Sequence, residues 1–245
     1  INSYHDIFLG GGSVLLAILT LQTQNKITID REINAYDLNE RLINTFRQVK
    51  NNPKLLIILT KNLAQQYENI QINSFKQKGA PKVDIENYTE TREHFYYWIC
   101  HKFNTTDYNT TLNAAYFIFL NKVGFRGMFR ENKDGHYNIP FGLKDRKTLS
   151  MPNVILEDNI IAISQLIQKV KFHHLDFEKS IKKVKNGDFV YLDPPYAPED
   201  KKSFVGYNAC GFDLETHNKL FTLIDKFNNQ QVKFIMSNSN TDLVN

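Results

Sequence analysis

Apolar and polar positions alternate in blocks along this chain, and the blocks change character in the middle. Residues 4 to 9 read as a short strand, followed by a tight turn at Gly10-Gly11-Gly12. Ser13 is placed to cap an apolar helix running from Val14 to about Leu21. A second strand near Ile33 to Tyr36 ends in Asp37, and Asn39 to Val49 is an amphipathic helix closed by Asn51-Asn52-Pro53. Residues 55 to 121 have mainly helical periodicity, with a polar loop near Lys76 to Lys82. Residues 122 to 150 carry Gly124, Gly127, Gly135, Pro140 and Gly142 and read as irregular or hairpin structure. Alternation of strand and helix resumes near Asn159. A helix extends to Val170, and strands follow at Lys171 to Leu175 and Phe189 to Leu192. A helix from Leu214 to Phe227 and a strand from Val232 to Met236 complete the series.

Strand and helix alternating on both sides of a helical middle predict a parallel α/β sheet with an inserted domain. The expected division is 1–54 with 148–245 for the sheet domain and 55–147 for the insertion. The insertion is also where the charge lies. Residues 122 to 147 hold seven Lys and Arg against three acids, an excess equal to the +4 of the whole chain. A basic segment of this kind suits a polyanion. Cys100 and Cys210 have no metal-ligand spacing, which fits reduced thiols in an intracellular compartment. No apolar run is long enough to span a membrane, and no signal peptide is visible. The chain begins at Ile1 and stops inside what reads as a βα unit, so both natural ends are expected to lie outside it.

Candidate chemistry collects where strands end. Asp193-Pro194-Pro195-Tyr196 follows the apolar strand Phe189-Val190-Tyr191-Leu192, the position at which ligands bind in open α/β sheets. Two consecutive prolines carry no backbone N–H. What remains is acceptor-only: the Asp193 carboxylate and the carbonyls of Asp193 and Pro194. That surface suits a donor such as the exocyclic amine of a nucleobase, and Tyr196 offers a flat face for stacking. The plainer reading is a rigid turn after a core strand.

The glycine turn at Phe8-Leu9-Gly10-Gly11-Gly12-Ser13 lies between strand and helix, where a cofactor can approach the backbone. It lacks the Lys-Ser/Thr of a Walker-type loop. Asp37 follows Gly12 by 25 residues at the end of the next strand, near the distance at which an acid accepts ribose hydroxyls. Asp176-Phe177 ends a third strand, where the acid can accept from an adenine amine and the ring can cover it. A structural turn, a helix-capping Asp and a core Phe would account for the same residues.

In this order the motifs resemble the Dam-type, or alpha-class, DNA adenine N6-methyltransferases. The motifs are Phe8-x-Gly10-x-Gly12, Asp37, Asp176-Phe177 and Asp193-Pro194-Pro195-Tyr196. The stretch Leu120-Asn121-Lys122-Val123-Gly124-Phe125-Arg126-Gly127-Met128-Phe129-Arg130, then Tyr137-Asn138-Ile139-Pro140-Phe141-Gly142, is similar to the target-recognition hairpin of that family. Ser237-Asn238 after the last apolar strand also fits.

The resemblance implies a Rossmann-like methyltransferase sheet with an inserted, mainly helical DNA-recognition domain carrying a hairpin. It implies S-adenosylmethionine over Phe8, Gly10, Gly12 and Ser13, with Asp37 on the ribose, Asp176 and Phe177 at the adenine, and Asp193 close by. Asp193 and the carbonyl of Pro194 would accept from N6 of an adenine flipped out of duplex DNA. Pro195 stiffens the loop and Tyr196 stacks on the base. Arg130 and Pro140 match residues that contact target bases, and Met128, two residues before Arg130, is a further candidate for DNA contact. Lys122, Arg126, Lys144 and Lys147 are candidates for further DNA contacts. A short guanine-containing site such as GATC is expected. So are a monomer and a reaction without a metal, in the cytoplasm of a prokaryote or at a viral replication site, with restriction-modification among the roles.

The family's N-terminal lysine- and glycine-containing stretch and its last sheet hairpin are not in this sequence. Leu143-Lys144 stand where the family often has a wedging tyrosine. The rival readings are methylation of cytosine N4 or of an RNA amine, and a truncated, non-catalytic DNA-binding module.

Overall fold

The computed structural model describes residues 1–70, 89–142, 157–197 and 212–241. Five strands form one sheet: β1 (Tyr4–Asp6), β2 (Ile33–Asp37), β3 (Val170–His174), β4 (Phe189–Leu192) and β5 (Lys233–Met236). Their order is β3-β2-β1-β4-β5 and every pairing is parallel. Tyr4 of β1 lies opposite both Ile33 and Phe189. β1 is buried along its whole length, as expected of a central parallel strand covered on both faces. The strand order reverses at β1 and β4, which makes the gap beyond their carboxyl ends a topological switch point. This mixed α/β arrangement is consistent with a Rossmann-like methyltransferase fold.

The chain divides into two compact units, 1–43 with 166–245 and 44–165. The division differs from the expected 54/55 and 147/148. From Asn44 onward α2 (Glu40–Asn51) bonds within the second unit: Asn44 Nδ2 donates to the Thr110 carbonyl at 3.0 Å. At the other end, Ser164 Oγ in α6 (Glu157–Leu166) donates to the Lys50 carbonyl. Helices therefore carry the boundary, and the change in hydrophobic period does not mark it.

In the first unit, Tyr36, Val190 and Leu192 pack beneath α7 (Phe177–Ile181) and α8 (Leu214–Asn229), through Ile181, Leu220, Ile224 and Phe227. One buried carboxylate pins β1 to the entrance of β4. Asp188 accepts from Ser3 N at 3.0 Å and Lys185 N at 2.8 Å, and its Oδ2 lies 3.1 Å from His5 Nε2.

Local readings shift at element ends. Ser13 is the first residue of α1 (Ser13–Thr23), and the capping position belongs to Gly12 at φ +72°, with no side-chain cap. The turn closes through Gly12 N donating to Leu9 O, and only a residue tolerant of left-handed backbone fits there. Residues 7 to 9 leave the β1 ladder but still bond the neighbouring strands: Ile7 N to Tyr191 O and Leu9 N to Tyr36 O. The helix expected to reach Val170 stops at Leu166, and Val170 begins β3 after a turn onto Ile167 O. Asn51-Asn52-Pro53 closes α2 and opens α3 (Pro53–Asn69), with Pro at the helix start where its missing N–H costs nothing.

The second unit is built on aromatic packing between α3, α4 (Arg92–Thr105) and α5 (Thr111–Val123). Tyr67 and Phe95 both meet Phe119 edge-on, at 5.6 and 5.8 Å. Thr91 and Thr110 cap α4 and α5 through their side chains. Residues 124 to 142 double back as a hairpin held by two isolated antiparallel bridges, Gly124 with Phe141 and Glu131 with Tyr137. The polar loop near Lys76 to Lys82 lies outside the described residues. No helix among the described residues is long and apolar enough to cross a membrane.

Candidate active site

A cavity of about 590 Å³ opens at the carboxyl ends of β1 to β4, entirely within the first unit. Phe8 and Gly10 come from the turn after β1, Asp37 from the end of β2, Asp176 and Phe177 from the end of β3, and Asp193 to Tyr196 from the end of β4. Four segments far apart in sequence thus meet because their strands are parallel and adjacent. Gly12 and Ser13 are not in its wall.

Asp37 organises the turn. Its Oδ2 accepts from Gly10 N at 2.9 Å and its Oδ1 from Asn39 N at 2.8 Å. Burial pushes the Asp37 carboxyl above the usual carboxylate range, against the pull of those N–H groups. Each carboxylate oxygen has a second lone pair, so both can still accept from a ligand hydroxyl. Gly10, at φ +48°, holds the backbone geometry that lets its N–H reach Asp37.

An aromatic wall stands beside this acid. The rings of Phe8 and Phe177 stack at 5.9 Å, and Phe212 closes on both, at 5.9 and 5.7 Å. Asp176 caps α7 by accepting from Lys179 N at 2.9 Å, and it pairs with Lys179 Nζ at 3.0 Å. Its burial alone would raise the carboxyl, but Lys179, through backbone N–H and ammonium together, holds it below the usual range. The plain reading of Asp176 as a helix cap is therefore correct, and the residue still faces the cavity.

The segment after β4 is fixed by contacts from α8 and from the chain after β5. The Tyr196 hydroxyl lies 2.5 Å from Ser237 Oγ, and Ala197 N donates to Asn238 Oδ1 at 3.0 Å. Ser237 N donates to Leu192 O at 2.8 Å. The Pro195 carbonyl faces His217 Nε2 at 3.0 Å. The Tyr196 side chain lines the cavity with 45% of the residue exposed, so a planar ligand can reach its ring. Behind these residues Asp6 is buried, and burial pushes its carboxyl up to about 7, with the charges of Asp193 and Asp37 adding to the rise.

In the second unit the hairpin presents a different chemistry. Lys122, Arg126, Met128, Arg130 and Pro140 are all exposed. Arg126 sits at φ +56° with its guanidinium 5.0 Å from the centre of the Phe125 ring. Arg130 Nε donates to Asn138 Oδ1 at 2.8 Å and its Nη2 to Asn138 O at 3.3 Å. One edge of the guanidinium is thereby held, and Nη1 has no hydrogen-bond partner among the described residues. Lys144 and Lys147 lie outside the described residues.

Residues 1–245 match the D12 class N6 adenine-specific DNA methyltransferases. The chain belongs to this family. It is similar to the Type II methyltransferase M.MjaIII of Methanocaldococcus jannaschii, with 31% identity over 242 residues that cover 98% of this chain and 74% of the relative. The retron Ec67 DNA adenine methylase of Escherichia coli is 34% identical over 190 residues, 77% of this chain and 60% of the relative. The DNA adenine methylase of Vibrio cholerae is 26% identical over 236 residues, covering 96% and 71%. D12 methyltransferases generally draw their methyl group from S-adenosylmethionine.

For a D12 methyltransferase, sequence reasoning named most of the cavity wall but missed Phe212 in it, and missed what stands behind it. Phe212 was not singled out, because a lone aromatic ahead of a helix carries no signal of its own. His217 and Asp6 were also missed. His217 reaches the site across 22 residues of sequence, and Asp6 reads as an ordinary polar residue within the strand expected over residues 4 to 9 until its burial is seen.

Proposed function

We propose that this chain methylates N6 of an adenine flipped out of duplex DNA, with S-adenosylmethionine in the cavity at the carboxyl ends of β1 to β4. The observation that carries the reading is that Asp193 to Tyr196 share one cavity with Phe8, Asp37, Asp176 and Phe177. An amine-accepting site and a nucleoside-accepting site thus adjoin, which a group transfer to a nucleobase requires.

The residues fit the cofactor by their chemistry. Asp37 has lone pairs for ribose hydroxyls. Asp176 with the Phe8–Phe177 wall suits an adenine. The cavity is bordered by the acids Asp37, Asp176 and Asp193, and such a border favours a cationic ligand. When bound, S-adenosylmethionine supplies an electrophilic methyl on sulfur.

The chain's own residues do the rest. The Asp193 carboxylate and the Pro194 carbonyl accept the two hydrogens of the adenine amine. That pairing draws the nitrogen toward a pyramidal shape and stabilises the positive charge it gains as its lone pair bonds to the methyl carbon. The sulfur of S-adenosylmethionine would be the leaving group and would take the electron pair of the bond to the methyl. The nitrogen then sheds one proton along its hydrogen bond to Asp193, which is exposed to solvent. Tyr196, tethered at its hydroxyl by Ser237, stacks on the base.

Site choice falls to the hairpin. Arg130, steadied by Asn138, reads a guanine by its free donors. Met128 and Pro140 contact bases, while Lys122 and Arg126 hold phosphates. GATC is the first sequence to test. The test is transfer of labelled methyl from S-adenosylmethionine to unmethylated duplex DNA, followed by nucleoside analysis. Label in N6-methyladenine, absent with Asp193→Ala, is the expected result. Label in N4-methylcytosine would redirect the reading to cytosine, and binding of DNA without transfer would reduce the chain to a binding module.

A further inference from the structure

We propose that His217 is a positioning residue for methyl transfer: from α8 it holds the Pro195 carbonyl and so fixes where the Asp193 carboxylate and the Pro194 carbonyl point. The inference rests on the reading of Asp193 to Tyr196 as the amine-accepting segment.

The argument starts from what the segment lacks. Pro194 and Pro195 have no N–H, so neither can tie itself to the sheet by donating. Their carbonyls are the handles that remain. One of them, on Pro194, is assigned to the substrate. The other, on Pro195, faces His217 Nε2 at 3.0 Å. Past the prolines the chain is tied independently, through Tyr196 to Ser237 and Ala197 to Asn238. Before them, Leu192 O accepts from Ser237 N. Among the described residues, His217 supplies a fixing contact in the middle of the segment, between tethers that come from residues 237 and 238.

The ring itself is well held. His217 is only 1% exposed. It sits one turn into α8, and its Nδ1 lies 2.9 Å from the carbonyl of Asp213, the capping residue of that helix. Phe212 meets the ring edge-on at 4.7 Å, and the same Phe212 forms part of the aromatic wall against Phe8 and Phe177. A neutral imidazole carries one N–H and serves one of the two carbonyls, whereas the imidazolium donates to both. Holding the loop requires the hydrogen on Nε2, the ring nitrogen 3.0 Å from the Pro195 carbonyl. His217 does not line the cavity, so its effect passes through the backbone of the segment. A displacement of about 1 Å in such a site can cost about a hundredfold in rate.

The test compares wild type with His217→Leu, which fills the space without a donor, and His217→Gln, whose amide can still donate. The readouts are single-turnover methyl transfer to duplex DNA, affinity for S-adenosylhomocysteine and for DNA, and amide hydrogen exchange at Tyr196 and Ala197. The leucine variant is expected to lose about ten- to a hundredfold in transfer rate, to keep both affinities within about twofold, and to exchange faster at Tyr196 and Ala197. The glutamine variant is expected to recover part of the rate. Full-rate transfer by the leucine variant, or unchanged exchange at those two amides, overturns the proposal. So does parallel loss of cofactor affinity and rate, which marks a merely structural role. If wild type transfers no methyl to adenine, the functional reading fails instead, and the exchange data still decide whether His217 holds the loop.

Discussion

The Tyr4 hydroxyl donates to Asp6 Oδ2 across 3.3 Å, and the other oxygen of Asp6, Oδ1, has no hydrogen-bond partner among the described residues. Asp6 is 1% exposed at the end of the central strand. A buried carboxylate with one weak donor is better off protonated, and burial does push this group up to about 7. The folded state therefore binds a proton that the unfolded state releases at ordinary carboxylate pH. Its contribution to stability is fully present below the unfolded value and is lost as pH rises through about 7. Asp6→Asn removes the titration while keeping the shape. The variant should gain stability over wild type at pH 8, with the gain shrinking as pH falls toward 4, by at most about 1.4 kcal/mol per pH unit. Denaturant unfolding of both proteins across that range measures it, and a difference that does not vary with pH would refute it.

Gly124 ends α5 where the hairpin begins, and nothing larger fits. A Cβ there would lie 2.6 Å from the Leu120 carbonyl oxygen, 2.8 Å from the Tyr137 hydroxyl and 3.0 Å from the Tyr96 hydroxyl. The first of these is backbone and cannot swing aside. Tyr96 in turn donates to the Ile139 carbonyl at 2.8 Å, so the strain would reach the returning strand of the hairpin. Gly124→Ala should destabilise the chain by about 1–3 kcal/mol. If the hairpin carries DNA, affinity should fall while binding of S-adenosylhomocysteine in the other unit persists. Thermal melting and two titrations separate these effects.

Arg130 and Lys122 should fail differently. Arg130→Ala removes a guanidinium whose orientation Asn138 has set, and should cost about 1–3 kcal/mol at a guanine position while relaxing choice there. Lys122→Ala should weaken all sequences alike and lower the salt dependence of binding by about one counterion. Mapping of methylated adenines across a plasmid, with binding measured at several salt concentrations, distinguishes the two. Equal loss of site choice in both variants would count against the assigned roles.

What the sequence revealed and what it hid have a common cause. Asp193 to Tyr196 was legible because strand, acid and two prolines are contiguous, and local chemistry alone restricts what such a stretch can do. The glycine turn and Asp37 were legible by spacing, since consecutive parallel strands bring their ends together. His217, Asp6 and Phe212 act through partners or burial that only the packed sheet creates. The two contact units divide at 43/44 and 165/166, inside helices rather than where the hydrophobic period changes, and Ser164 bonds to Lys50 across more than a hundred residues of sequence. Strand ends were missed by one to three residues where single bonds to a neighbour, such as Leu9 N to Tyr36 O, continue past the ladder.

Asp37 joins two roles that a pair of substitutions can separate. Its carboxylate holds the glycine turn through Gly10 N and the start of α2 through Asn39 N. It also faces the cavity proposed for the nucleoside. Asp37→Asn keeps one acceptor oxygen and replaces the other with a donor, so one of the two backbone N–H groups loses its partner and one ribose hydroxyl loses an acceptor. Asp37→Ala removes everything. The asparagine variant should bind S-adenosylhomocysteine about tenfold more weakly, the loss of one hydrogen bond to a charged group at about 1.5 kcal/mol, with little change in DNA affinity. The alanine variant should bind it more weakly again and melt at a lower temperature, since Gly10 N and Asn39 N both lose their acceptor. Calorimetric titration with the product, beside melting curves, tests the pair. Wild-type affinity in the asparagine variant would mean that the ribose does not meet Asp37, and the nucleoside would then have to be placed elsewhere in the cavity.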